Sequence, residues 1–313
     1  MADIRFYDFD FNLIRILPPF AEEIGYKAID TEQIFNGSGS LEINFFDPVL
    51  KKLVEKHEAN IIIKWRDFCG VLTSYRWTDK EYKLTGTHLN GLFNRAVIPA
   101  IKKTDDNGET IADTVCNILN SALENIDWIN YSDLSSLTTE VIYGTDKPEK
   151  ADTFIQGLFD ISGCGYEIKA DFRNKSFIFE PILPVLSSLM LSESNLNAYE
   201  FETTYIGKSE AFGGWYKSGD EWKYITRDET KAGIHKIDTV LSAETEADAK
   251  NELAQCKPEF EILATTRNIE YGKDYKIGDI LRVQHDGKTD KRLVTGVNRW
   301  EEGGYHESPI MSE

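Results

Sequence analysis

The chain has 313 residues, of which 41% are hydrophobic and 12% aromatic, a composition that can bury a sizeable core and argues against global disorder. No apolar run approaches the ~20 residues that cross a bilayer as a helix, and Met1 to Arg5 lacks the basic-then-apolar pattern of a secretory signal. A net charge of −18 repels nucleic acid and anionic membrane surfaces, and most of it reads as solubility.

The length suggests about two domains. In chain order, Ile4, Phe6, Leu13 and Ile16 flank Asp8-Phe9-Asp10-Phe11-Asn12, where Asp and Asn favour a turn between strands. The break Asn36-Gly37-Ser38-Gly39-Ser40 precedes an alternating strand at Leu41 to Phe45. Asp47-Pro48 reads as a cap and first-turn proline, with Leu50, Leu53 and Val54 as the apolar face of a short helix. Strands are expected at Ile61 to Lys64, Val71 to Trp77 and Tyr82 to Gly86, with a turn at Asp79-Lys80. Leu89, Leu92 and Phe93 suggest a helical turn ending before Pro99.

Lys102 to Gly108 is polar and turn-rich, a candidate boundary. Thr110 and Asp113 have capping-box spacing, and Ile111, Val115, Ile118, Leu119 and Ala122 follow at helical period. A second helix presents Ala151, Phe154, Ile155, Leu158 and Ile161, and Gly163 stops it. A hairpin follows: Tyr166 to Phe172, a turn at Arg173 to Lys175, then Phe177 to Glu180. Beyond the link at Ser187 to Asn197, strands are expected at Tyr199 to Tyr205, Gly214 to Lys217 and Glu221 to Ile225. Thr245 and Asp248 cap a helix with Ala249, Leu253 and Cys256 on one face. The last stretch is β: Ile262 to Ile269, Asp279 to Gln284 and Arg292 to Trp300.

Two of these strand–turn–strand segments share an ending. Ile61 to Trp77 closes on Leu72-Thr73-Ser74-Tyr75-Arg76-Trp77, and Asp279 to Trp300 on Val294-Thr295-Gly296-Val297-Asn298-Arg299-Trp300. The extra residue in the second copy is what a β-bulge needs, and Gly296 would tolerate one. Either the likeness is chance between strand-like segments, or the chain holds two related small barrels.

Catalytic patterns are sparse. Asp8 and Asp10 have the Asp-x-Asp spacing with which haloacid-dehalogenase-like hydrolases set a nucleophile and a general acid beside magnesium. The small residues that should follow are Phe11 and Asn12, and the later strands do not alternate with helices, so turn chemistry is the favoured reading. His57, His88, His235, His285 and His306 share no metal-ligand spacing. Cys69, Cys116, Cys164 and Cys256 lie far apart and read as thiols of a reducing cytoplasm. Gly163-Cys164-Gly165 precedes a strand and is no phosphate loop. Trp215-Tyr216 and Trp222-Tyr224 could bind sugars, although a cross-strand aromatic ladder is the simpler use. No catalytic, cofactor or metal residue is assigned.

Tyr275-Lys276-Ile277-Gly278-Asp279-Ile280-Leu281-Arg282-Val283 resembles the Tyr-x-x-Gly-Asp-apolar strand near the C-terminus of phage tail hub and tail-tip (baseplate hub) proteins. The Leu84 to Pro99 segment looks like that family's Gly-x-x-Leu-x-x-Leu-x-x-Arg closure of a first barrel, with His88 where a charged or small residue is more usual. Gly165 to Pro181 looks like its middle-domain hairpin. The resemblance implies an α+β, mainly β fold: a first β-barrel hub domain at 1–100, an α/β middle domain at 101–185, and a second barrel with a short helix at 186–313. It implies a non-enzymatic homotrimeric ring in a virion tail, assembled in the bacterial cytoplasm. Such a ring would meet the tail tube or a distal tail protein above and a spike or tail-tip protein below, with a tape-measure protein as a further candidate partner. No membrane, cofactor or specific nucleic-acid partner is implied, and a chain ending at Glu313 is expected to carry no lytic extension. The opposing readings are a hydrolase using Asp8 and Asp10, or a carbohydrate-binding β protein using Trp215 and Trp222.

Overall fold

The structure, a computed structural model, describes residues 2–21, 24–57, 60–78, 82–100, 109–117, 129–141, 147–204, 211–227, 237–254, 256, 259–285 and 287–312. The chain divides into two compact units, residues 1–198 with 264–311, and residues 199–263 with 312–313.

The first unit is organised by β1 (Ile4–Asp8), β2 (Leu13–Leu17), β3 (Tyr26–Ile34), β4 (Ser40–Phe45), α1 (Pro48–His57), β5 (Ile61–Trp65), β6 (Phe68–Trp77) and β7 (Tyr82–His88). A 3-10 turn at Leu89–Arg95 follows, then the short strands β8 (Val97–Ile98) and β9 (Glu109–Thr110) and helix α2 (Ile111–Asn117). Next come β10 (Ile129–Tyr131), β11 (Glu140–Val141), β12 (Glu149–Lys150), α3 (Ala151–Ser162), β13 (Gly165–Asp171), β14 (Ser176–Ile182), β15 (Val185–Leu191) and β16 (Leu196–Thr204). β16 passes into the second unit at Tyr199, and that unit also holds β17 (Gly213–Ser218), β18 (Glu221–Thr226), β19 (Asp238–Val240) and α4 (Glu246–Ala254). The chain ends with β20 (Glu259–Thr266), β21 (Asp279–His285), β22 (Lys288–Glu301) and β23 (Tyr305–Ser312).

Eleven strands form one sheet in the order β15-β21-β22-β3-β4-β7-β6-β5-β1-β2, with β23 also paired to β22. The N-terminal and C-terminal parts of the chain meet where β3 runs antiparallel to β22, from Gly296 opposite Ile34 to Glu301 opposite Ile29. The fold is thus mainly β with helices, as the sequence implied. The two closed barrels expected from the sequence are not drawn by these ladders, because β5–β6 and β21–β22 lie in one open sheet. Both are nevertheless hairpins with two-residue turns, Trp65 opposite Phe68 and His285 opposite Lys288. A register shift falls in the first copy, between Leu72 and Ser74, while the β3–β22 ladder starts at Gly296 and runs to Glu301 without one. Thr73 is the extra residue there, and its hydroxyl donates to the Thr85 carbonyl at 3.1 Å, giving the bulge a bond of its own.

The sheet separates two cores. Ile61, Ile62 and Ile63 are all fully buried, which a half-exposed strand could not achieve. Ile61 and Ile63 pack with Trp65, Phe45, Leu50 and Val54, the last two from α1. Ile62 points the other way, into Phe93, Ile155, Phe159, Tyr166 and Phe179. Helix α3 supplies Ala151, Ile155, Leu158 and Phe159 to that second core and ends at Gly163, whose φ of 66° is left-handed, as a helix stop requires. β13 and β14 form the expected hairpin, Asp171 taking the Arg173 and Asn174 amides across the turn at 2.9 and 3.0 Å. Both threonine caps are made: the Thr110 and Thr245 hydroxyls accept from the Asp113 and Asp248 amides, each at 3.2 Å, and the Asp carboxylates take the hydroxyl protons. Ile118, Leu119, Ala122, the turn at Asp79-Lys80 and the boundary at Lys102 to Gly108 lie outside the described residues. In the second unit β17 pairs with β18 and β19, and α4 covers them with Ala249 and Leu253 against Tyr216 and Leu241. Among the described residues no helix is long and apolar enough to cross a membrane.

Candidate functional site

A buried polar cluster lies where β3 meets β22. Arg299 is fully buried in β22, opposite Thr31. A guanidinium is tolerated there only if its fork is occupied. It pairs with Asp67 in the β5–β6 turn and donates to Gln33 Oε1 at 3.2 Å. The Tyr271 and Phe68 rings lie 4.9 and 5.7 Å from it. Its Nε has no hydrogen-bond partner among the described residues.

The network continues through Gln33 Nε2, which donates to Glu167 Oε1 at 2.9 Å. Glu167 stands 3.8 Å from His88 Nε2 and 3.6 Å from Lys169 Nζ, and Lys169 reaches Glu180 at 2.5 Å. Five stretches separated in sequence, around Gln33, Asp67, His88, the β13–β14 hairpin and Arg299, are thereby tied together. Burial, and secondarily the Arg299 charge, push the His88 pKa down to about 3, so the imidazole is neutral. Its Nδ1 accepts the Asn90 amide at 3.4 Å, capping the 3-10 turn that begins at Leu89. Asn90 is itself buried, donating to the Gly37 and Tyr166 carbonyls and accepting from the Ile168 amide. Burial raises the Glu167 carboxyl despite Lys169 and Gln33, and pushes the Cys69 thiol up to about 12. A thiol so raised is a poor nucleophile. The cluster borders a cleft of about 340 Å³ rimmed by Lys64, Arg66, Asp67, Lys169, Tyr271 and Lys276.

Beside it runs a line of tyrosines on carboxylates. The single hydroxyl proton of Tyr26 is shared between the Ala2 carbonyl at 2.7 Å and Glu301 Oε2 at 3.1 Å. Tyr305 donates to Glu307 at 2.6 Å, and Glu307 also takes the Tyr271 amide at 2.7 Å. Burial and Glu307 raise the Tyr275 hydroxyl. These contacts hold strands together, and the sheet face beside them is acidic. There Asp30, Glu32, Glu42, Asn298 and Trp300 surround a groove of about 510 Å³. Asp30 stands directly opposite Glu42, and its carboxyl is raised by burial and by that neighbour.

The residues singled out in the sequence are dispersed. Asp8 closes the β1–β2 turn, taking the Asn12 amide at 2.8 Å and its side chain at 3.1 Å, with Phe11 at φ 61°. Asp10 is exposed in the same turn. Changing both to Asn is expected to cost no more than about 1 kcal/mol in a urea melt, because only turn bonds weaken. Phosphate-ester hydrolysis by the purified chain, lost in that double variant, would contradict this reading. Trp215 lies opposite Tyr224 with ring centroids 5.2 Å apart, as the ladder reading expects, and Trp222 lies opposite Lys217. The four cysteines are unpaired thiols. His306 stacks on Trp300 at 5.4 Å, His235 lies outside the described residues, and those described contain no group of three or more His, Cys, Asp or Glu able to hold a metal. Sequence reading noted Arg299 only as half of an Arg-Trp ending, passed over Asn90 and Glu167 as unspecified positions of the segments at Leu84 to Pro99 and Gly165 to Pro181, and missed Gln33.

No family model matches the chain, and no curated protein matches its sequence. Solved structures do match its fold. The tail protein from Neisseria meningitidis MC58 aligns over 100% of this chain and 96% of its own, with 13% identity and a TM-score of 0.61. Prophage tail protein gp18 from Listeria monocytogenes EGD-e aligns over 99% of this chain and 94% of its own, at 14% identity and a TM-score of 0.60. A chain of the p2 virion baseplate in its activated conformation aligns over 100% of this chain and 99% of its own, at 10% identity and a TM-score of 0.50. From end to end, this chain has the fold of phage tail and baseplate proteins.

Proposed function

We propose that the chain is a structural hub of a phage tail or phage-tail-like particle, at the baseplate or tail tip. The observation that supports the reading is the extent of the fold match: nearly the whole of this chain aligns with nearly the whole of tail proteins. The polar clusters support it too, because Arg299, Glu301 and Glu307 join strands rather than expose a reactive group.

In this reading three copies form a ring between the tail tube, or a distal tail protein, and a spike or tip protein. The modules are those expected from the sequence: residues 1–100 and 186–313 as the two barrel-like parts built around β5–β6 and β21–β22, and 101–185 as the middle part. The ring works by fit and adhesion and catalyses nothing. Its lumen is lined by the face bearing Asp30, Glu32 and Glu42, whose charge repels DNA phosphates so that a genome or a tape-measure protein slides past.

Electron micrographs of the purified chain, alone and with its tail tube, test this. A three-fold ring with an open centre is expected, acidic side chains outnumbering basic ones along the axis. A chain that stays monomeric and binds no tail component would end the hub reading. A lumen richer in Lys and Arg would end only the sliding argument.

A further inference from the structure

The two hairpins with the shared ending differ in one respect. The outer half of β22 is flanked twice: β3 pairs with Gly296 to Glu301, and β23 also pairs with β22, Thr295 Oγ1 reaching the Ile310 carbonyl at 3.4 Å. The outer half of β6 is flanked once. β7 runs along it from Ser74 opposite Thr85 to Trp77 opposite Tyr82, while β5 stops at Ile62 opposite Val71. Among the described residues nothing pairs with its other edge.

Side-chain exposure follows the same division. Thr73, Ser74, Tyr75 and Arg76 are four successive exposed residues of one strand, so both faces meet water. A strand in a packed sheet normally hides at least one face. Their counterparts in β22 are buried or half-buried, and Arg299, which corresponds to Arg76, is fully buried. Tyr75 is 45% exposed and stacks on Trp77 with centroids 4.9 Å apart, an apolar shelf beside the open edge.

β23 carries Pro309, whereas β6 has no proline; the bulge at Thr73 and the charge of Arg76 limit indiscriminate pairing, but the edge from Thr73 to Trp77 is still open to a partner that matches them. The charges around it are mixed: Arg76 lies opposite Lys83, Lys51 sits 5.7 Å from the Trp77 ring, and Glu55 accepts from the Trp77 indole at 3.1 Å. Lys83 is paired with Glu42, but Arg76 and Lys51 have no carboxylate at ion-pair distance among the described residues. Arg76 therefore offers a counter-charge to an acidic segment, and a second copy of this chain, at net −18, supplies one.

We propose that the open edge of β6 between Leu72 and Trp77 receives an extended segment of a second copy, filling intermolecularly the place that β23 fills beside β22. This deepens the ring reading and rests on it: the contact is head-to-tail and closes by rotation. Main-chain hydrogen bonds give the affinity, and the Tyr75–Trp77 shelf and Arg76 give the register.

Sedimentation of the wild type over a range of concentrations, against Tyr75→Glu/Arg76→Glu, tests the proposal. The double variant is expected to dissociate at a concentration at least tenfold higher, with an unchanged far-ultraviolet spectrum. Amide hydrogen exchange on the wild type supplies a measurement free of any folding defect. Amides between Thr73 and Trp77 that face away from β7 should become protected as the chain associates. A wild type that forms rings without that protection, matched by the double variant, would overturn the edge proposal and leave the hub reading standing. Protection that appears only when another tail protein is added would also overturn it, in favour of a different occupant. A wild type that never associates would remove the ring and the edge contact together.

Discussion

Arg299→Ala is expected to destabilise the fold by about 3 kcal/mol, the largest effect of any single polar substitution considered for this chain. The loss has three sources. A fully buried side chain leaves a void between the Phe68 and Tyr271 rings. Gln33 Oε1 loses its donor in a place water reaches poorly. The tie between β22 and the β5–β6 turn disappears. Asp67 contributes less, because its side chain is 54% exposed and water can replace the guanidinium. Asp67→Asn should therefore cost less than about 1 kcal/mol, and Arg299→Met should recover part of the packing. Urea midpoints at constant slope measure all three. If Arg299→Ala and Asp67→Asn proved equally mild, the site would be a solvated ion pair rather than a structural joint.

Acid should destabilise this protein through His88, by on the order of 5 kcal/mol at most for a pKa lowered from 6.5 to about 3. The folded state holds the imidazole neutral, so as the pH falls the unfolded chain takes up the proton first. The contribution is fully present above pH 6.5 and is lost progressively between pH 6.5 and about 3. Glu167 works in the opposite direction. Its carboxyl is raised in the folded state, so it takes up a proton there before it does in the unfolded chain, returning part of the loss. Arg299 adds a fixed positive charge against protonation of His88 at any pH. Unfolding free energies of wild type and His88→Gln between pH 7 and 4.5 isolate the contribution, since the other carboxylates are common to both. The wild type should lose stability more steeply than the variant. Parallel profiles would mean that His88 is hydrated and titrates normally.

Much of the local structure was legible because its causes are local. Asp8 and Asn12 make a turn, Thr110 and Thr245 cap helices, Gly163 ends one, and Asp171 closes a hairpin, each through partners within four residues. Alternation and helical period likewise determined the strand and helix content, and Ile61-Ile62-Ile63 already carried the pattern of a strand with a core on either side. What only the tertiary structure decided is how distant strands pair. Backbone hydrogen bonds are the same whichever strand supplies them, so nothing in β3 names β22 as its neighbour more than 260 residues away. Nor could sequence tell Arg76 from Arg299, two arginines before a tryptophan in matching hairpins. One is exposed on a strand with an open edge, and the other is fully buried between β3, Asp67 and Tyr271, because β3 and β23 flank the second hairpin and β7 alone flanks the outer half of the first. The same pairing made joints of Gln33, His88 and Glu167, whose chemistry depends on burial and on neighbours that no spacing along the chain could reveal.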